Sequence, residues 1–252
     1  MPHLSKRCQR YGLIASLVLT LSIDIAPVAL AKYKPPPEPS APIATGTNTT
    51  RGGCDSNASV GLAPLVPFSH VGQTSSSRPT FVWFVPDRTP HPLQFRLFTR
   101  TGQPLYKTEM QSQLGIMQFS LPQNQPELAA GQVYRWQVEL FCSPSNSLSS
   151  VVATADIEVV KPIARLQTQL AATQTPQQRI DLYAESGLWY DALAEALKAP
   201  NSPNSSPMLE LLDSLASVEA QSLKDWSDRL KQIEAIERQR QAPASPPLQP
   251  KP

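Results

Sequence analysis

The chain has 252 residues and a formal net charge of +2, from 22 lysines and arginines and 20 acidic residues. A chain of this length suits one large domain or two small ones. The basic residues form no run that could follow a phosphate backbone, so the sequence argues against nucleic acid as a partner.

Residues 1–31 have the pattern of a secretory signal peptide. Three basic residues precede an uncharged apolar run at 13–23, and Ala29-Leu30-Ala31 supplies a small-x-small cleavage site. The alternative is an uncleaved membrane anchor, but Asp24 ends the apolar run short of the ~20 residues that a bilayer requires. We therefore expect cleavage after Ala31 and export to the periplasm, the cell envelope or the extracellular space. The remaining chain carries 19 basic and 19 acidic residues and is formally neutral.

Two cysteines remain once Cys8 leaves with the signal. Cys54 and Cys142 are an even pair in an exported chain, which predicts a disulfide. The alternatives are two free thiols or a zinc site completed by His70 and His91, although the ligand spacing of zinc motifs is missing. We expect neither a metal nor a cofactor.

Proline-rich stretches flank the predicted core on both sides. Residues 32–50 contain almost no apolar side chains, and residues 241–252 have the same composition. We expect a disordered linker and a disordered tail, because such segments cannot bury a core.

Residues 51–161 predict a β-sandwich domain. Short apolar runs alternate with turn residues at roughly ten-residue spacing, which is typical of a sandwich or barrel. In the run at 132–142, Tyr134, Trp136 and Cys142 share one face and charged or polar residues take the other. This places the Cys142 sulfur on the core side. Cys54 lies on a glycine-rich turn that can approach another backbone closely.

The segment at 128–138 resembles the turn into the sixth strand of fibronectin type III and immunoglobulin-like domains. In those domains a leucine, a turn glycine and a corner tyrosine recur at the spacing of Leu128, Gly131 and Tyr134. The resemblance implies that the Tyr134 hydroxyl bonds back to the preceding loop.

Residues 162–240 predict a helical region. Gly187 splits the pattern at 177–199 into a helical hairpin, and this stretch resembles one hairpin of a tetratricopeptide repeat. No second copy follows, and a single repeat cannot bury its own apolar face. Residues 208–240 predict one long helix or two short ones, with an apolar seam that includes Trp226, Leu230 and Ile233.

Catalytic patterns are weak in this sequence. His70 lies near the serine run at 75–77, which is better explained as a flexible loop than as a nucleophile with its base. Asp156 and Glu158 share the outward face of one strand, where paired carboxylates usually only add solubility. We therefore expect no catalytic residue.

The tryptophans suggest two binding roles. Trp83 and Trp136 belong to strand patterns whose apolar faces place them in the core, whereas Trp189 and Trp226 are candidates for exposure. If the seam of Trp226, Leu230 and Ile233 is uncovered, it and Trp189 would bind a protein partner. Exposed indoles could also stack on sugars.

Four motifs together resemble an exported cyanobacterial family known as domain of unknown function 928: RGGCD followed by GLAPLVP, then PTFVWFVP, GQVYRWQVELFC and YAESGLWYDAL. The resemblance covers about residues 50–220. It implies a bacterial envelope or extracellular location and an association with secretion or surface-protein systems. It transfers no catalytic residue, substrate or cofactor.

The sequence as a whole predicts a multi-domain α+β protein with an immunoglobulin- or fibronectin-III-like sandwich followed by a helical hairpin region. The function that we expect is that of a non-catalytic interaction or scaffold protein of the envelope, with an unidentified protein partner. A carbohydrate-binding module and an exported hydrolase are the alternatives.

Overall fold

The structure is a computed structural model that describes residues 32–43, 45–47, 53–55, 58–143, 149–201 and 206–241. Within these residues the fold is α+β, with two sheets whose strands pair mainly antiparallel, followed by five helices. The predicted signal peptide at 1–31 and all but the first residue of the predicted tail at 241–252 lie outside the described residues.

The strands alternate with short turns through the first two thirds of the chain. Their bounds are β1 Gly46–Thr47, β2 Ala63–Pro64, β3 Gly72–Thr74, β4 Thr80–Val85, β5 Pro92–Thr99, β6 Pro104–Gln111, β7 Gly115–Ser120, β8 Gln132–Phe141 and β9 Ser150–Val159. The larger sheet has the order β1-β9-β8-β5-β6, with β3 pairing parallel to β9, and the smaller sheet has the order β2-β4-β7.

The two sheets pack face to face through aromatic side chains. Phe81 on β4 lies 4.9 Å from Phe95 on β5 and 5.5 Å from Trp136 on β8, measured between ring centroids. All three side chains are fully buried, as is Trp83. The period-two alternation of β8 and β9 explains this arrangement, because it directs every second side chain between the sheets.

Five helices complete the fold. They are α1 Ala164–Ala172, α2 Pro176–Glu185, α3 Trp189–Lys198, α4 Pro207–Glu219 and α5 Lys224–Gln241. Helix α2 begins at Pro176, after the N-cap Thr175. The Thr175 side chain accepts a hydrogen bond from the backbone N–H of Gln178. Gly187 separates α2 from α3 with a φ of +78°, a conformation that favours glycine.

Helix α3 joins the helices to the sheets. It contacts β3 and β4 on one side and α2 and α4 on the other. Tyr190 is fully buried, and its hydroxyl accepts a hydrogen bond from the Trp136 indole at 2.9 Å and donates one to the Asp156 carbonyl at 3.2 Å. The helical region is therefore tied to the larger sheet through buried polar contacts.

A disordered linker was predicted at 32–50, and the described residues of this segment, 32–43 and 45–47, include contacts to the helices and the larger sheet. Tyr33 is 1% exposed, and its backbone N–H donates to Ser214 of α4 at 2.7 Å. The N–H of Ile43 donates to the Asp156 carboxylate at 2.8 Å, and β1 then pairs with β9. The segment is short of apolar residues, but its backbone donors and one aromatic ring are sufficient to anchor it along the helices and the sheet edge.

Within the described residues, no helix combines the length and the apolar character that crossing a membrane requires.

Candidate functional site

The four residues predicted to bind a partner are buried. Trp189, Leu230 and Ile233 are 0% exposed and Trp226 is 4% exposed. The prediction required an uncovered seam, and the structure corrects it. A lone helical hairpin cannot bury its own apolar face, so α3 uses the sandwich for this purpose, while α4 and α5 cover each other.

Both indoles instead fasten helices to the sandwich. The Trp189 indole donates to the Leu65 carbonyl at 2.8 Å, and the Trp226 indole donates to the neighbouring Val66 carbonyl at 3.1 Å. Phe68 stacks on Trp226 with ring centroids 3.8 Å apart. Buried rings of this kind present no face on which a sugar could stack.

His70 is a buried member of a polar network between the N-terminal segment and the helices. Its Nε2 lies 2.7 Å from the Tyr33 hydroxyl, and its Nδ1 lies 2.9 Å from Ser69 Oγ. Ser69 Oγ donates to Glu219 at 2.8 Å, and the backbone N–H of Phe68 donates to the same carboxylate at 3.3 Å. An imidazole protonated on Nδ1 would satisfy all of these contacts without carrying a charge.

Burial sets the electrostatics of this network. It lowers the pKa of His70 from 6.5 to about 4 and raises the pKa of the Tyr33 hydroxyl. Burial also raises the pKa of Glu219, against the hydrogen bonds from Ser69 and Phe68 that lower it. A neutral imidazole that contacts the Tyr33 and Ser69 hydroxyls can hold the N-terminal segment against the loop that carries His70.

The serine run that was considered beside His70 has a different partner. Ser75 donates to Asp191 of α3 through both its backbone N–H, at 2.9 Å, and its hydroxyl, at 3.0 Å. Burial raises the pKa of Asp191, while these hydrogen bonds lower it. The serine whose hydroxyl contacts the imidazole is Ser69, the preceding residue in the sequence.

The paired carboxylates of β9 also have structural contacts. Asp156 is 3% exposed and forms an ion pair with Arg135 at 3.2 Å. Glu158 accepts hydrogen bonds from Ser40 and Gln73, each at 3.1 Å. The N-terminal segment therefore covers the strand face that the sequence left open to solvent.

Tyr134 makes the contact expected of a corner tyrosine. Its hydroxyl accepts a hydrogen bond from the backbone N–H of Ala129 at 2.9 Å, five residues earlier in the chain. The side chain thus fixes the turn that leads into β8.

The predicted disulfide between Cys54 and Cys142 is present, with the two Cα atoms 4.8 Å apart. The disulfide joins the turn at residues 53–55 to the residue that follows β8. Gly53 lies directly against Asp87, so that a methyl group there would come within 2.6 Å of Asp87 Oδ1. This close approach explains why the turn before Cys54 contains glycine.

Three further side chains meet beside this disulfide. Asp55 follows Cys54, while Asp87 and His91 belong to the loop that connects β4 to β5. One ligand atom from each of the three lies within 4.8 Å of the others. In the sequence, His91 was an alternative zinc ligand only together with the cysteines, and no pattern indicated this group, because 32 residues separate Asp55 from Asp87 and only the folded disulfide turn brings them together.

A groove of about 480 Å³ lies on the helical face of the molecule. The N-terminal segment forms one wall through Lys32, and α4 and α5 form the others through side chains of both charges, such as Asp213 and Arg238. The exposed Ser217 and Gln221 also line it. This groove is a candidate surface for a protein partner.

A family model described as Domain of Unknown Function (DUF928) matches residues 46–230. The match begins at β1 and ends within α5, so it includes the sandwich, the disulfide and the helices packed on them.

No curated protein matches the chain. Two crystal structures of a β-glucuronidase from Parabacteroides merdae, one with glycerol in its active site, are similar at 9% identity over 61% of this chain. Their TM-scores are 0.23 and 0.24, and the chain covers 33% and 32% of their lengths, about a third of that enzyme.

Proposed function

The chain belongs to the DUF928 family, and we propose that it is an exported, non-catalytic interaction or scaffold protein of the cell envelope or the extracellular space. Its partner in this proposal is another envelope or surface protein, and its role is accessory to surface-protein assembly. We also propose a cyanobacterial source, which the four sequence motifs favour.

The observation that carries the proposal is the Cys54–Cys142 disulfide. Disulfides persist in oxidising compartments such as the periplasm and the cell exterior, and they are rare in the reducing cytosol. The bond supports export independently of the signal-like sequence at 1–31, which lies outside the described residues.

The arrangement of polar side chains supports a non-catalytic role. His70, Asp191 and Glu219 are all buried, and each one hydrogen-bonds a group on a different segment of the chain. Such contacts hold the helices on the sandwich. They make a rigid body whose exposed helical surface is charged and suited to binding.

We propose that the sheets form an immunoglobulin- or fibronectin-III-like sandwich and that α2 and α3 form a helical hairpin. The strand order supports the sandwich type, because β4 and β7 pair in one sheet while β5, β6 and β8 belong to the other. The Tyr134 contact supports it as well. Sandwich domains of this type serve many unrelated functions, so the fold alone does not specify one.

Site-specific photo-crosslinking in native envelopes tests the interaction role. A crosslinking residue in the groove, in place of Ser217, should capture one reproducible protein. The control is the same residue in place of Gln103, which lies on an exposed turn of the sandwich. Capture from the groove position alone is the expected result, whereas equal patterns at the two positions would contradict a specific partner at this groove.

A charge variant provides the matched test of the same surface. Asp213→Lys reverses one exposed charge of the groove, and Glu109→Lys makes the same change on the exposed edge strand β6. We expect only Asp213→Lys to reduce the crosslinked yield. An equal reduction by both variants would show that the contact is not made through the groove.

A further inference from the structure

We propose that Asp55, Asp87 and His91 bind a divalent transition-metal ion, of the class of Zn²⁺, at the disulfide-bearing end of the sandwich. The inference goes beyond the proposed interaction role and depends on different residues. It rests on two buried polar atoms that lack a partner among the described residues and on a backbone arrangement that holds the ligands together.

Asp87 is the central ligand. It is 1% exposed, and its Oδ1 accepts a hydrogen bond from the Asp55 backbone N–H at 2.6 Å. Its Oδ2 is buried, and among the described residues it has no hydrogen-bond partner. A buried carboxylate oxygen without a partner is costly, and a bound cation would offset that cost.

His91 supplies the nitrogen ligand. Its Nε2 is also buried and has no partner among the described residues. Its backbone is held on both sides, because the His91 N–H donates to Ser112 Oγ at 2.8 Å and the Ser112 N–H donates to the His91 carbonyl at 2.9 Å. Pro90 and Pro92 flank the residue and restrict its conformation further.

Gly53 and the disulfide bring the third ligand into place. The bond between Cys54 and Cys142 fixes the turn on which Asp55 lies, and Gly53 allows that turn to touch the Asp87 carboxylate. No lysine or arginine of the described residues forms an ion pair with Asp55 or Asp87. No basic side chain of the described residues therefore competes with a metal ion for these two carboxylates.

The distances permit coordination after a small movement. Ligand atoms bound to Zn²⁺ at about 2.0–2.2 Å in a tetrahedral site lie about 3.3–3.6 Å from one another, whereas the three atoms here lie within 4.8 Å. Asp55 is exposed and can close the difference by side-chain rotation. Three protein ligands leave room for a water molecule or for a ligand from a partner.

The chemical types of the three ligand atoms indicate which class of metal ion would bind. Carboxylate oxygens alone would suit Ca²⁺ or Mg²⁺, but an imidazole nitrogen favours Zn²⁺ and its first-row neighbours. A hydrogen bond to the second oxygen of a ligating carboxylate, as Asp55 makes to Asp87, is a common feature around such ions.

Equilibrium dialysis against Zn²⁺ with elemental analysis tests the proposal. The full chain is used with its disulfide intact and without a polyhistidine tag. We expect the affinity for Zn²⁺ to fall by at least about tenfold in His91→Gln and in Asp87→Asn. The matched controls His70→Gln and Asp228→Asn change one histidine and one aspartate elsewhere and should bind as the parent does.

Thermal unfolding provides a second readout on the same variants. Zn²⁺ should raise the Tm of the parent and both controls, but not that of His91→Gln. His91 is only partly buried, so this variant remains informative even if Asp87→Asn fails to fold. Equal Zn²⁺ binding by parent and His91→Gln, no binding by the parent, or tighter binding of Ca²⁺ than of Zn²⁺ would each overturn the proposal.

Discussion

At the scale of single residues, His70 shows how burial converts a titratable group into a structural one. Its ring stacks beside Tyr33, with centroids 5.9 Å apart, and both of its nitrogens contact hydroxyl groups. Protonation would place a charge in this buried site. The imidazole of His70 therefore makes the free energy of unfolding depend on pH. In the proposed function it does not act as a catalytic base.

We predict that the native state loses stability at acidic pH through His70. Because burial lowers the pKa of His70 from 6.5 to about 4, the unfolded chain binds a proton in this interval and the native state does not. The contribution of His70 to the free energy of unfolding should fall between pH 6.5 and pH 4, by about 3 kcal/mol, and this loss should stop below pH 4.

Urea unfolding of the parent and of His70→Gln between pH 7 and pH 4 measures this effect. Glu219 and Asp191, whose pKa values are raised by burial, oppose the trend, but they are present in both proteins. The stability difference between parent and variant should therefore shrink as the pH falls. A difference that stays constant over this range would refute the buried neutral imidazole.

The sequence predicted some single residues well and others poorly, for a physical reason. Period-two alternation placed Trp136 in the core, and cysteine pairing identified Cys54 and Cys142, because both signals are local or follow from composition. The partners of Asp87 and Trp189 depend on segments distant in the sequence. No local pattern records such contacts.

At the scale of elements, the two residues that follow β2 are the point at which two helices attach to the sandwich. Helix α3 and helix α5 donate indole hydrogen bonds to the consecutive carbonyls of Leu65 and Val66. The sequence predicted strands across 51–161 and helices across 162–240, but no pattern indicated β1 or β3, which are two and three residues long. Such short strands depend on pairing with β9 and have little periodicity of their own.

We predict that Trp189→Phe destabilises the protein more than Trp83→Phe does. Both indoles are 0% exposed, but the Trp189 N–H donates to the Leu65 carbonyl, whereas the Trp83 N–H has no partner among the described residues. The first change leaves a buried carbonyl unpaired, at a cost of about 1–3 kcal/mol, and the second removes an unpaired donor. Urea unfolding at neutral pH measures both, and equal losses would contradict the attachment role of Trp189.

At the scale of the whole molecule, the division into a sandwich at 51–161 and a helical region at 162–240 describes the order of elements along the chain. The contacts cross that boundary, since the Trp136 indole donates to the Tyr190 hydroxyl and the Trp189 indole donates to the Leu65 carbonyl. A buried interface of aromatic and hydrogen-bonded groups couples the stability of the two parts.

We therefore predict one cooperative unfolding transition for sheets and helices together. Far-ultraviolet circular dichroism follows mainly the helices, and near-ultraviolet circular dichroism follows the aromatic core. Their urea midpoints should coincide in the oxidised protein, and separate midpoints would show two independent units.

Cys142→Ser should lower both midpoints together, because the disulfide contributes about 4–5 kcal/mol in the chain-entropy treatment of a loop of this length.

The most direct test of the account is the state of the two cysteines in protein taken from its native compartment. Cells are treated with an alkylating agent before lysis, and the intact protein is analysed by mass spectrometry before and after reduction followed by a second alkylation. The account predicts an N-terminus at Lys32 and labels on Cys54 and Cys142 only after reduction. A chain that retains residues 1–31 and carries label on both sulfurs before reduction would contradict export to an oxidising compartment.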